Sequence, residues 1–459
     1  ELNAPRTDQC PPPSARDDEC LFYLEQFRTL TYAAWELRPE DGPVRWARVT
    51  ASWQNQHELR SGNRPASYVV NTGEDDVDTL GLTAATRFQW SLDESTLALT
   101  TGIDGYLDLV RSASAIRFTD IDVTVPRSRG QYLGGSRYFT GGVFADLALR
   151  PAPEWVLRGG ARLGWVEAHA PGDPDSGSRP VDTRWHPTAG HLGAEWQPHP
   201  AWTLLADVDL SFRAPNLDDL TSRQQTGPGF QFENPDLRPE RALGAELGTR
   251  LRTGPVSAEL WVFQTWIDSA IGKVTVPATE CPPETPQCLA SWNRVQLVNA
   301  PDVSVLRGLE AMIRVRPVSW WWLRATTTWT WGEGPNLADP PIDPTVPYAE
   351  RVPLSRVPPL NGTVETEWSL PLGLRVGAAL RWAAAQTRLA VADQSDARIP
   401  LGGTPGYAVV DLRAGWVFGQ VGSLALVLEN LLDMPYRAHG SSVNGAARGL
   451  IASLTLHPF

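Results

Sequence analysis

Four cysteines fall in two close pairs, Cys10 with Cys20 in CPPPSARDDEC and Cys281 with Cys288 in CPPETPQC. Zinc wants CxxC or CxxH spacing with a His nearby, and neither pair offers it. The spacing therefore predicts two local disulfides closing Pro-rich loops, in an oxidising compartment or at the cell surface, and no metal site. His169, His186, His191 and His439 stand isolated in or beside loops, and each reads as a solvated side chain or as a ligand for iron or haem. The runs GEDDVD and GDPDS lack the ordered ligand spacing of a calcium loop and read as solvated acidic loops. Trp292, Tyr348 and Tyr138 offer faces on which a ligand can stack. There is no GxSxG and no HExxH, so neither a catalytic residue nor a bound cofactor is expected, and the chain does not read as an enzyme.

The elements that carry these residues are strands. Of 459 residues only 20% are charged, with 39 Gly, 40 Pro and 20 Trp against 2 Met, a composition unsuited to long helices of Ala, Glu, Lys and Leu. A formal net charge of −12 argues against nucleic acid as a partner. The most apolar stretch, GWVFGQVGSLALVL, is too short for a membrane helix and is broken by Gly419 and Gly422. The start, ELNAPRTDQC, has no Met, basic region or apolar core, so the expectation is a processed or cut chain.

Period-two alternation recurs along the whole length, in about seventeen segments. In RALGAELGTRLR, Leu243, Leu247 and Leu251 share one face while Glu246 and Arg250 share the other. One face suits hydrocarbon and the other water. Short turns such as SLDEST, LRTGPV and SLPLGL alternate with long loops, placed at residues 60–78, 111–135, 170–185, 215–239, 274–302, 332–352 and 388–405. That asymmetry is the one expected of a transmembrane, antiparallel, up-and-down β-barrel with long loops outside the cell. Trp90, Trp155, Trp196, Trp202, Trp320, Trp321, Trp322, Trp368 and Trp416 gather at the short-turn ends, as rings at a lipid headgroup layer would.

Against this background, FRAPNLDDL followed by NPDLRPE resembles the paired boxes of TonB-dependent outer-membrane receptors. VQLVNAPDVSVLRGLEAMIRV resembles the run ending in Gly-Leu-Glu between those boxes and the C-terminal signature, which NLLDMPYRAHGSSVNGAARGLIASLTLHPF resembles in turn. The resemblance implies a bacterial outer membrane, a barrel of about twenty-two strands, a plug inside it, and uptake of a scarce solute such as an iron chelate with energy from the TonB complex. Counted back from Phe459, the first segment falls at about the sixth strand, so the expectation for residues 1–459 is one barrel domain, N-terminally incomplete, lacking the plug and TonB box. The resemblance gives Glu240 and Glu310 the role of lumen carboxylates that hold Arg residues of the plug. Arg213, Asn216, Trp292, Tyr348 and His439 are the ligand-loop candidates. An unplugged porin-like or surface-binding barrel is the alternative, against which an odd strand count argues.

Overall fold

The computed structural model describes residues 2–3, 20–63, 68–226, 229–276, 294–394, 396, 398–441 and 443–457. Seventeen long strands follow one another along these residues. The first eight are β1 (Cys20–Leu37), β2 (Val44–Asn63), β3 (Val69–Leu92), β4 (Ser95–Phe118), β5 (Ser136–Ala152), β6 (Trp155–Ala170), β7 (Thr188–His199) and β8 (Trp202–Arg213). The others are β9 (Glu240–Thr253), β10 (Val256–Asp268), β11 (Ser304–Val318), β12 (Trp321–Pro335), β13 (Asn361–Ser369), β14 (Leu374–Ala383), β15 (Tyr407–Phe418), β16 (Gly422–Glu429) and β17 (Gly449–Leu456). Each pairs antiparallel with its neighbours in sequence, and four short strands extend the same sheet. Among the described residues β1 and β17 do not pair with each other, so the sheet is open.

Register carries the alternation from strand to strand, because cross-strand partners share a face. Leu247 pairs with Ala206 and Val262, and all three face outward with Leu243 and Leu251. Leu247 is 62% exposed, as a lipid-facing leucine must be in the absence of lipid. Glu246 pairs with Asp207 and Phe263 on the opposite, interior face, and Arg250 there binds Glu259 at 2.9 Å. Interior rings lie over glycines: a Cβ at Gly248 would sit 2.5 Å from the Trp261 ring, so the ring fills the space a side chain would take. Trp155 and Trp196 are cross-strand partners stacked 5.4 Å apart at the short-turn end, and Trp202, Trp320 and Trp416 are exposed there too.

The strand ends differ from expectation in one region. Residues 60–78 and 111–135 read as loops, yet pairing continues through Asn63 and Val70 on β2 and β3, and β4 runs to Phe118. β3 and β4 have 24 residues each, where about 9–11 suffice to cross a bilayer. On β3 the outward residues change from Leu80 and Leu82 to Asp78, Asp76 and Glu74, so the extra length stands above the lipid. There the outward face meets water while the inward face, with Asp75 and Val77, packs beneath the loops, and no apolar stripe marks the strand.

Candidate functional site: the extracellular mouth and the barrel interior

Arg213, the last residue of β8, is the cross-strand partner of Glu240, the first of β9. Between them the chain forms a short helix, α1 (Leu217–Thr221), whose N-cap is Asn216. The Asn216 side chain accepts from the Asp219 backbone N–H at 2.9 Å, and the Asp219 carboxylate accepts from the Asn216 N–H at 3.0 Å. Arg213 donates from Nη2 to both Asp219 oxygens, at 2.7 and 2.9 Å, and its Nη1 lies 3.6 Å from Glu240 Oε2. Glu240 Oε1 also accepts the Ile271 N–H. Thus Arg213, Asn216 and Glu240 come together as a brace that shapes the loop.

The braced loop turns inward over the mouth. Leu217 and Leu220 of α1 are buried with Leu237 of the same loop and with Val110, Leu133, Tyr138, Val166, Ala168, Val181 and Leu297 from wall strands and other loops. The Tyr138 hydroxyl donates to the Pro215 carbonyl at 3.0 Å. A second, small sheet joins Gln224–Thr226, Gly229–Phe232, Arg294–Asn299 and Ile271–Val276. Asn234 of the second box donates to Leu297 O at 2.7 Å, and Asn299 brackets Arg238, accepting its N–H and donating to its carbonyl, both at 2.8 Å.

Three groups with no signature in the sequence tie these loops together. Arg223 donates two bonds of 2.6 Å to the two oxygens of Glu233 and a third to Ser176 O at 3.0 Å. Arg129 donates to Ser178 Oγ at 2.8 Å, to Gln131 O at 2.7 Å and to Thr221 O. Burial pulls the Arg129 guanidinium down to about 10, which leaves it charged at neutral pH. Burial pushes the Glu233 carboxyl up, but the Arg223 hydrogen bonds and the charges of Arg223 and Arg129 outweigh it and hold the group below its ordinary value. In the sequence, PRSRGQYLGGS has the composition of a solvated loop, and only long-range contacts reveal Arg129 as buried.

Lys273, on the small sheet, feels the charges of Arg356 and Arg398 from other loops. Burial first, then these two cations, lower its amine below the ordinary value, partly opposed by Asp218 and Asp396. Farther down the wall, Asp207, Asp209 and Glu310 are the charges that act on Glu246, forming an acidic band of the interior. Glu310 belongs to this band. It pairs through Trp261 with Gly248, eight residues along β9 from Glu240, so the two carboxylates stand about 26 Å apart along the strand direction.

The other candidates sit apart. The Tyr348 hydroxyl donates to Ala338 O at 3.2 Å within its own loop. His439 Nδ1 lies 2.9 Å from Thr404 Oγ1, and burial lowers the imidazole below its ordinary value. Trp292, Cys10, Cys281 and Cys288 lie outside the described residues, so the disulfide expectation has no structural counterpart; Cys20 opens β1. In the C-terminal signature, Asn430 is buried with φ 46°, donates to Met434 O and Ala446 O, and accepts the Met434 N–H.

The family described as TonB dependent receptor-like, beta-barrel matches residues 8–431. An iron-regulated outer membrane virulence protein of Vibrio cholerae is 36% identical over 89 residues, which are 19% of this chain and 14% of that protein. Among solved structures, the copper transporter OprC aligns with a TM-score of 0.77 at 15% identity, covering 95% of this chain and 66% of that one. The ferric citrate transporter FecA in its unliganded form aligns at 0.67 and 16% identity, covering 94% and 61%. The chain therefore spans about two thirds of the length of these structures and a small part of the curated relative. With the strand pattern, the inward-folded loops and a match over most of its length, the chain belongs to the TonB-dependent receptor-like β-barrels of the bacterial outer membrane.

Proposed function

We propose that this barrel is the wall and mouth of a receptor that takes up a scarce solute such as an iron chelate, with a plug in its lumen and energy from the TonB complex. The family match over residues 8–431, with loops bound to one another over the mouth at Arg129 and Arg223, carries this reading. Uptake from scarce supply suits a mouth already shaped by welded loops, since less ordering is left for binding to cost. Further strands would close the open edges of β1 and β17 to the twenty-two expected of the family, and Arg residues of the plug would meet the acidic band at Glu246 and Glu310 and the rim carboxylate Glu240. The two cysteine pairs would close extracellular loops.

Uptake of a labelled ferric chelate by cells carrying the full-length receptor tests this. Uptake should need the TonB complex. Solute entry that persists without TonB and scales with concentration would identify a passive diffusion channel instead.

A further inference from the structure

We propose that His57, Glu74 and Asp76 form a binding site for a divalent first-row transition-metal ion on the outer wall of the barrel, above the lipid. His57 lies on β2 and its cross-strand partner is Asp76 on β3, with Glu74 two residues along on the same face. One ligand atom from each of the three lies within 4.8 Å of the others. His57 Nδ1 and Asp76 Oδ1 are 3.2 Å apart, close to the roughly 3.3 Å between adjacent ligands of an ion held tetrahedrally at 2.0–2.1 Å. Glu74 is exposed and free to swing the remaining distance. One imidazole with two carboxylates suits zinc and its neighbours better than calcium, which takes six to eight oxygens.

A second observation concerns the other ring nitrogen. Nε2 of His57 is buried and has no hydrogen bond among the described residues, though Glu25 Oε2 on β1 stands 3.5 Å away. In the metal-free state an Nδ1–H donating to Asp76 leaves the Nε2 lone pair turned toward Glu25. An ion on Nδ1 moves the ring proton to Nε2, where Glu25 accepts it, the carboxylate–histidine–metal arrangement that fixes a tautomer. Phe27 stacks on the imidazole at 4.7 Å with 22° between the planes and holds it in this orientation. The ion would join β1, β2 and β3 where the strands have left the membrane. This site is on the outside of the wall and does not depend on what passes through the lumen.

The probe is Co²⁺, titrated into the full-length protein in detergent and followed by its visible d–d absorption, with Zn²⁺ added in competition. One equivalent should bind and be displaced by Zn²⁺. His57→Gln and Asp76→Asn should abolish the band, and Glu25→Gln should weaken binding ten- to a hundredfold. Asp78→Asn should change nothing, because that carboxylate is engaged by Trp53, Asn55 and Arg111. Should His57→Gln fail to assemble, exposed Glu74→Gln serves in its place, with at least a tenfold loss expected. Absence of the band in the unaltered protein, or a band surviving loss of His57 or Glu74, would overturn the proposal.

Discussion

Arg213 and Glu240 face each other across the gap between β8 and β9, and the arginine that meets Glu240 also grips Asp219, inside the helix that the intervening loop forms. One guanidinium thus joins the two rims to the segment between them. Arg213→Met should free α1 and expose Leu217 and Leu220. With the arginine side chain itself nearly half exposed, the loss should be about 1–2 kcal/mol. Hydrogen exchange should quicken across residues 215–239 while the wall strands keep their protection; unchanged exchange in the loop would show the brace to be idle.

The interior carboxylates make a different prediction. In the full-length receptor, Glu240→Gln and Glu310→Gln should act independently, since the two groups lie at different depths of the wall. Each should raise passive leak of a small antibiotic through a loosened plug, by about 1–3 kcal/mol of lost plug contact if each holds an arginine. Leak and uptake equal to the parent in the double variant would reject the plug contact.

Facing on β9 can be tested by a matched pair. Leu247→Arg puts a cation against lipid, at about 2–4 kcal/mol near the midplane, whereas Glu246→Arg places one beside Asp207 and Asp209 in the interior. Folded barrel recovered from outer membranes should fall for the first variant and stay near the parent level for the second.

Acid should open the mouth before it melts the wall. Glu233 has a folded pKa below its unfolded value, so its contribution is complete above the ordinary carboxylate range and is lost as the pH falls through the depressed value. Pulsed EPR distances between spin labels on the 171–180 and 214–239 loops should be constant from neutral pH to about 5 and broaden below about 4. In Glu233→Gln they should be broad throughout.

Asn430 offers a test in the last loop. Its three side-chain hydrogen bonds are buried and its φ is positive, so Asn430→Gly keeps the backbone conformation but loses the bonds, at about 2–3 kcal/mol. Asn430→Ala should cost more, because it adds backbone strain. Refolding yield into detergent, ranked parent, Gly, Ala, checks this.

Much of the wall was legible in the sequence, since a strand between lipid and water must alternate, and Leu243, Ala245, Leu247 and Leu251 do so, with Thr249 the one polar member of their face. Where β2 to β4 rise above the bilayer, Glu74, Asp76 and Asp78 meet water on the face that lower down meets lipid, and period-two reading loses the strand although its hydrogen bonds continue. The mouth was the least legible part. Arg129, Arg223 and Glu233 are joined by contacts across 10 to more than 90 residues, and no local pattern distinguishes a buried arginine from a solvated one. The motifs, by contrast, proved informative for a structural reason: Arg213, Asn216, Asn234, Asn299 and Asn430 each hold a loop or turn in shape.

Loops that share hydrogen bonds cannot be admitted to motion singly. Because the 127–135, 171–180 and 214–239 segments meet at Arg129 and Arg223, displacing one breaks contacts to the others. In the receptor proposed above, passage past the mouth would resemble a latch with several pins withdrawn at once, with concerted rather than single-loop openings. For an outer membrane facing detergents and antibiotics, such coupling would itself act as a filter, because a molecule that does not help withdraw the pins would find the gate shut.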